Sequence, residues 1–165
     1  GAFTPAAATH LAQGNQAADM AHAANPLAPS LTAQPQSTAF TDRSILLKVE
    51  GDSFMAIFRK PSKGLSAAVA MQRALEEYNV GRIPEEQVLL CVGLGYGHML
   101  RIGDADVYGA QVNAASKLGE DIAEAKEILV TKAVKEASQD FPDIGYEPIE
   151  DVPPGAEQAF RVLYS

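Results

Sequence analysis

Ile45-Leu46-Leu47-Lys48-Val49-Glu50-Gly51-Asp52-Ser53-Phe54-Met55-Ala56-Ile57-Phe58 settles more of the architecture than any other segment. Its apolar runs, 45–49 and 54–58, are rich in β-branched and aromatic residues and flank Gly51-Asp52, a pattern that predicts a hairpin of two core strands. Gly51 takes the turn and Asp52 is lifted out at the tip. A Gly-Asp pair alone does no more than reverse a chain. Lys48 adds information, because a charge inside an apolar strand is costly unless it emerges at an edge or meets an acceptor.

Outward from the hairpin, Arg59 to Gly64 reads as a connection and Leu65 to Tyr78 as a helix, its apolar positions recurring near 3.6 with Glu76-Glu77 on the wet side. Asn79 to Glu86 is a linker. Val88 to Leu94 is short and β-branched, a central strand that Gly93-Leu94-Gly95-Tyr96-Gly97 brings to an end where backbone or ligand comes close. The glycine spacing does not fit a dinucleotide fingerprint, having no third glycine that opens a helix. His98 reads as a surface or strand-edge residue, since no second His or Cys stands at metal spacing near it.

Leu100 to Ile102 pairs briefly with Asp106 to Tyr108, and Ala110 to Ala125 is a helix with Val112, Ala115, Leu118 and Ile122 inward. A short strand at Ile128 to Thr131, a short helix at Lys132 to Ser138 and two closing strands, Ile144 to Ile149 and Ala159 to Tyr164, complete the core. The whole predicts an α+β domain over residues 41–165, with helices packed on one face of a mainly antiparallel sheet. Residues 1–40 differ in composition. Ala6 to Ala24 has the makings of a helix, Ala being the best helix former, although Gly14 interrupts it, and Asn25 to Thr41 is a proline-broken loop.

The totals narrow the function. A chain of 165 residues with 47% hydrophobic composition makes one domain with a real core. A net charge of -8 argues against a nucleic-acid surface or an anionic membrane patch. The single cysteine, Cys91, lies in an apolar run and reads as a buried structural thiol. No apolar segment reaches the ~20 residues of a membrane span and no secretion signal opens the sequence, so the expectation is a soluble, cytoplasmic protein.

Lys48 to Phe58 resembles the strand-turn-strand of class III nucleotide cyclases, in which a lysine stands four residues ahead of a metal-binding aspartate in a Gly-Asp turn. A second block, Asp106-Val107-Tyr108-Gly109-Ala110-Gln111-Val112-Asn113-Ala114-Ala115-Ser116-Lys117-Leu118, is similar to the cyclase segment in which an aspartate precedes a glycine and then an asparagine. The resemblance implies the ferredoxin-like cyclase fold and a reaction in which the ribose 3′-hydroxyl attacks the α-phosphate of ATP and pyrophosphate leaves. It assigns adenine reading to Lys48 and Asp106, a Mg2+ or Mn2+ ligand to Asp52, and catalytic roles to Asn113, for orienting the ribose, and Lys117, for the phosphorus. Lys117 stands where the common pattern has arginine, and lysine keeps the charge without the bidentate fork.

In the family, base-reading residues of one chain meet the metal aspartate of another across a head-to-tail dimer. A chain with both sets therefore implies a homodimer with two equivalent sites. The family's first strand carries a further metal-binding aspartate. Gly1-Ala2-Phe3-Thr4-Pro5 is read as the remnant of the turn after that strand, which would place the strand before residue 1, and no second ligand is named. A degenerate cyclase-like module that binds nucleotide or only dimerises is the competing reading, and a guanylate cyclase is disfavoured by Lys48 with Asp106.

Overall fold

The predicted hairpin forms between β2, Ser44–Glu50, and β3, Ser53–Phe58, with Val49 opposite Phe54 and Glu50 opposite Ser53. The computed structural model describes residues 3–12, 44–50, 52–102 and 106–165, with side chains over 52–100 and 108–165. The ladder contains a bulge between Leu46 and Lys48. Beyond it, Lys48 stands opposite Met55.

One expectation fails at the start of the chain. Phe3–Ala12 is a strand, β1, where a helix was expected from Ala6, and Asp19 and the rest of that segment lie outside the described residues. The physical reason is tertiary. Residues 3–12 fill the slot between β3 and the long strand β4, Cys91–Ile102, pairing antiparallel with both, so sheet hydrogen bonds on two sides override alanine's helix preference. Phe3, Thr4 and Pro5 therefore begin a strand of the sheet instead of ending a turn.

After β3 the chain enters α1, Pro61–Asn79, four residues earlier than its periodicity predicts, because proline is well suited to a first helical turn. A 3-10 turn at Pro84–Glu86 leads to β4, which runs through its glycines instead of ending at them. Next come β5, Asp106–Tyr108, and α2, Ala110–Lys117, which passes into a π-turn over Leu118–Ile122. The chain closes with β6, Ile128–Thr131, α3, Lys132–Ala137, β7, Gly145–Ile149, and β8, Ala159–Leu163. Among the described residues eight strands form one sheet in the order β2-β3-β1-β4-β6-β8-β7, with β5 paired to the far end of β4. All pairings are antiparallel except β4 with β6.

Strand alternation separates two cores. Phe54, Ala56, Val92, Leu94, Ile128, Val130, Phe160 and Val162 pack with Leu65, Val69 and Leu75 of α1 and Val134 of α3. Met55, Ile57 and Met99 face the other way, with Val112 and Ala115 of α2, while Leu129 and Ala159 meet Leu118. Helices thus cover both faces, a correction to the one-face expectation, because the strands are apolar on both sides. Gln72, almost fully buried, donates from Nε2 to the Leu90 carbonyl at 3.0 Å, tying α1 to the approach to β4. Among the described residues no helix is long and apolar enough to cross a membrane.

Candidate functional site

The helix that bears Asn113 and Lys117 is seated by what β4 lacks. A Cβ on Gly93 would lie 2.2 Å from the Ala115 carbonyl oxygen, one on Gly95 2.3 Å from the Gln111 oxygen, and one on Gly97 2.6 Å from Gln111 Cγ. Three alternate glycines thus form a track for α2, at backbone contact for Gly93 and Gly95 and against the Gln111 side chain for Gly97. The close approach that the glycines signal is to the chain's own helix. Gly109 joins β5 to α2 with a φ of 154°, a conformation that L side chains rarely adopt, and its carbonyl accepts the Asn113 backbone N–H at 3.1 Å.

Asn113 and Lys117 are one helical turn apart on the exposed surface of α2. The Lys117 ammonium donates to Asp121 Oδ2 at 2.9 Å, and both side chains are more than half exposed. The hydrogen bond to Asp121, then its charge, hold this ammonium above the usual lysine range. Here the π-turn begins, closed by the Ala123 N–H on the Leu118 carbonyl at 2.7 Å. The Lys117–Asp121 spacing is visible in the sequence as a four-residue pair, yet the site reading passed over Asp121. Gln111 was missed as well; its Nε2 donates to the Gly155 carbonyl at 2.9 Å and fixes the start of α2 to the loop before β8.

Asp52 occupies the exposed hairpin tip as expected. Lys48 lies on the same hairpin at the register position of Met55, whose side chain belongs to the α2 side of the sheet. Asp106 pairs with Ile102, the last residue of β4, and precedes Gly109 by three residues. The tip of the β2–β3 hairpin adjoins the other end of β4, through Ser53 opposite Ala12 and Ala12 opposite Cys91. Asp52 and Asp106 are therefore at opposite ends of a 12-residue strand. Cα atoms of β2 and β5 nonetheless approach within 8 Å. Cys91 is buried, and burial followed by the charge of Glu127 pushes its thiol pKa up, which suits the structural role expected of it. His98 is exposed on β4, also as expected.

A metal pair held between Asp52 and a carboxylate on the adjacent strand does not fit these residues. The neighbour is β1, which reads Phe-Thr-Pro-Ala-Ala-Ala-Thr-His-Leu-Ala and contains no acidic residue. Across β1, β4 from Cys91 to Ile102 has none either. Among the described residues no group of three or more His, Cys, Asp or Glu side chains is placed to hold a metal ion.

Solved structures share this fold over nearly their whole length. An adenylate/guanylate cyclase/hydrolase from Silicibacter pomeroyi superposes with a TM-score of 0.72 at 17% identity, covering 99% of this chain and 98% of that one. The catalytic core of a rhodopsin-guanylyl cyclase with converted specificity, in complex with ATPαS, gives 0.68 at 11% identity, with 98% and 96% covered. The adenylyl cyclase CyaB from P. aeruginosa gives 0.66 at 16%, with 99% and 96% covered. No curated protein sequence matches the chain. A family model described as the adenylate and guanylate cyclase catalytic domain matches residues 8–152. Because that match runs from within β1 through the hairpin, the glycine track and α2 as far as the loop beyond β7, the chain belongs to the adenylate and guanylate cyclase catalytic domain family.

Proposed function

We propose that this domain converts ATP to 3′,5′-cyclic AMP and pyrophosphate, as a homodimer with two equivalent sites. The observation that carries the reading is that Asp106 leads through Gly109 directly into α2, whose exposed surface bears Asn113 and Lys117. In this reading Asp106 reads the base, and Asn113 and Lys117, on the helix seated on the glycine track, serve the ribose and phosphate. Lys48 on β2, a strand that approaches β5, is the proposed second base reader.

The base chemistry favours adenine. A lysine donates and a carboxylate accepts, which suits the N1 acceptor and the 6-amino donor of adenine; guanine offers a donor at N1 and an acceptor at O6. A site that leaves hydrogen-bonding groups unpaired against the wrong base discriminates strongly. In the reaction the 3′-oxygen bonds to the α-phosphorus, the bond to the bridging oxygen breaks, and pyrophosphate carries away that electron pair. Asn113 orients the ribose for this attack, and Lys117 offers positive charge to the phosphorus oxygens once it leaves Asp121. Mg2+ or Mn2+, expected with the triphosphate, neutralises phosphate charge when bound.

The dimer follows from the family reading, in which the metal aspartate of one chain meets the base-reading residues of another. A head-to-tail pair of chains would bring the Asp52 end of one against the Asp106 end of the other, making two sites by symmetry.

A second reading, an ATP-binding module that does not turn over, is favoured by the acid-free β1 beside Asp52 and by the engagement of Lys117 with Asp121. Incubation with ATP or GTP and Mn2+, with cyclic nucleotide quantified beside an Asp52→Ala control, separates the two. Cyclic AMP from ATP, lost in the control, is the expected result. ATP binding without product would favour the second reading, and cyclic GMP as the main product would overturn the choice of base.

A further inference from the structure

We infer that Gln111 is a positioning residue, whose side-chain amide bonds a stiff turn before β8 and so fixes the first turn of α2, the turn that leads into Asn113. The inference rests on the cyclase reading above, in which Asn113 orients the ribose. α2 begins without a side-chain cap, because its N-cap residue is Gly109. The Asn113 N–H closes on the Gly109 carbonyl at 3.1 Å, a bond internal to that turn. Gln111 makes a directed connection outward. Its stem crosses the bare backbone of Gly97, where a Cβ would lie 2.6 Å from Gln111 Cγ, and its Nε2 donates to the Gly155 carbonyl at 2.9 Å.

The acceptor belongs to a turn with little freedom of its own. The Pro153 carbonyl accepts the Ala156 N–H at 3.2 Å, Pro154 stands second and Gly155 third with a φ of 90°, the pattern of a type II turn. Pro153 is buried, and soon after the turn Ala159 pairs with both Thr131 and Ile149. A Cβ on Gly155 would lie 3.1 Å from Ala110 Cβ, so the turn packs against one residue of α2 and is bonded by the next.

Packing alone does not account for the glutamine. Its Oε1 is buried and takes no hydrogen bond among the described residues. A buried acceptor left unpaired weakens stability, so an apolar side chain of the same length would fill the space at least as well. Such a side chain could not bond the Gly155 carbonyl. The amide thus contributes placement of the start of α2 more than stability, and Asn113 is the next residue but one.

The test compares Gln111→Met with the unaltered chain. Methionine keeps the length, removes the unpaired acceptor and cannot donate to Gly155, an exposed residue whose carbonyl water can then satisfy. A kcat for cyclic AMP about tenfold lower, at nearly the same KM for ATP, is expected. The midpoint of denaturant unfolding should not move, and hydrogen exchange of the Asn113 amide should be about tenfold faster. Gln111→Glu adds a second readout: its carboxylate cannot donate until protonated, so its kcat relative to the unaltered chain should rise as pH is lowered toward the carboxylate range. Unchanged kcat and Asn113 exchange in Gln111→Met would overturn the inference. So would a fall in kcat matched by a fall in stability, with no pH response in Gln111→Glu, which is how a packing residue behaves. If the unaltered chain forms no cyclic nucleotide, the proposed function fails, and exchange at Asn113 still decides whether Gln111 holds α2.

Discussion

The two faces of the sheet are built on opposite principles. On one, Leu65, Val69 and Leu75 of α1 interdigitate with Phe54, Val92, Leu94 and Val130, a thick layer of large buried side chains. On the other, α2 rests on Gly93 and Gly95 with backbone against backbone, and the Gln111 side chain lies against Gly97. The first arrangement gains stability from area removed from water, about 1.5–3 kcal/mol for each fully buried large apolar side chain. The second buries a smaller cluster, Ile57, Met99, Val112 and Ala115, and what the glycine track adds is position: where no side chain lies between strand and helix their separation is set by backbone contact, and Asn113 and Lys117 are carried on that helix. Stability and site geometry are thus assigned to different faces, and substitutions should separate them.

The largest effect on stability is expected on the α1 face. Leu65 is fully buried, so Leu65→Ala should cost about 2–5 kcal/mol in denaturant unfolding. Turnover per folded molecule should stay close to the unaltered value. On the α2 face the same size of change should act on the site. Gly95→Ala puts a Cβ 2.3 Å from a backbone oxygen of α2, and the helix must move. A displacement approaching 1 Å would lower kcat by about 10²-fold. Its unfolding cost, from overpacking, is about 1–3 kcal/mol. Equal losses of turnover in both variants would break the division between faces.

A smaller effect belongs to Asp121. Asp121→Asn removes the partner that occupies the Lys117 ammonium, so KM for ATP should fall severalfold while stability scarcely changes, an exposed pair of this kind being a minor contributor. An unchanged KM would show that Lys117 does not reach the phosphates. The smallest effect lies at the margin of the α1-side core, where the Tyr164 hydroxyl donates to the Lys126 carbonyl at 2.7 Å. Burial, with the charge of Glu76, pushes this phenol up to about 12. A folded-state value above the ordinary one near 10 means that the contribution is intact below about pH 10 and is lost as pH rises through about 12. Tyr164→Phe should flatten the fall in stability over that window in alkaline unfolding titrations, and leave turnover at neutral pH alone.

Much of this could be read from the sequence where local pattern and tertiary role agree. The β2–β3 hairpin, α1, β6 and the closing strands all have a period that matches the surface they bury. Reading failed where tertiary contact overrides local preference. Phe3–Ala12 is rich in alanine, with no alternation to mark a strand, and its two partners make it one. The glycines of β4 read as a strand end because glycine is usually a breaker, and nothing local says that a helix 14–26 positions further on will lie against them. The candidate site stands in the sequence as two blocks of residues. Their separation along β4 was not legible there, since it depends on register.

If Lys48 and Asp106 choose the base, exchanging their hydrogen-bonding character should change which nucleotide is cyclised. Lys48→Glu with Asp106→Asn turns a donor into an acceptor and an acceptor into a potential donor, the pattern that guanine requires. The measurement is the ratio of cyclic AMP to cyclic GMP formed from equal ATP and GTP, in the unaltered chain and in the double variant. A ratio well above one that inverts in the variant is the predicted result. A ratio that does not respond to the exchange, in a folded variant that still turns over nucleotide, would contradict that assignment.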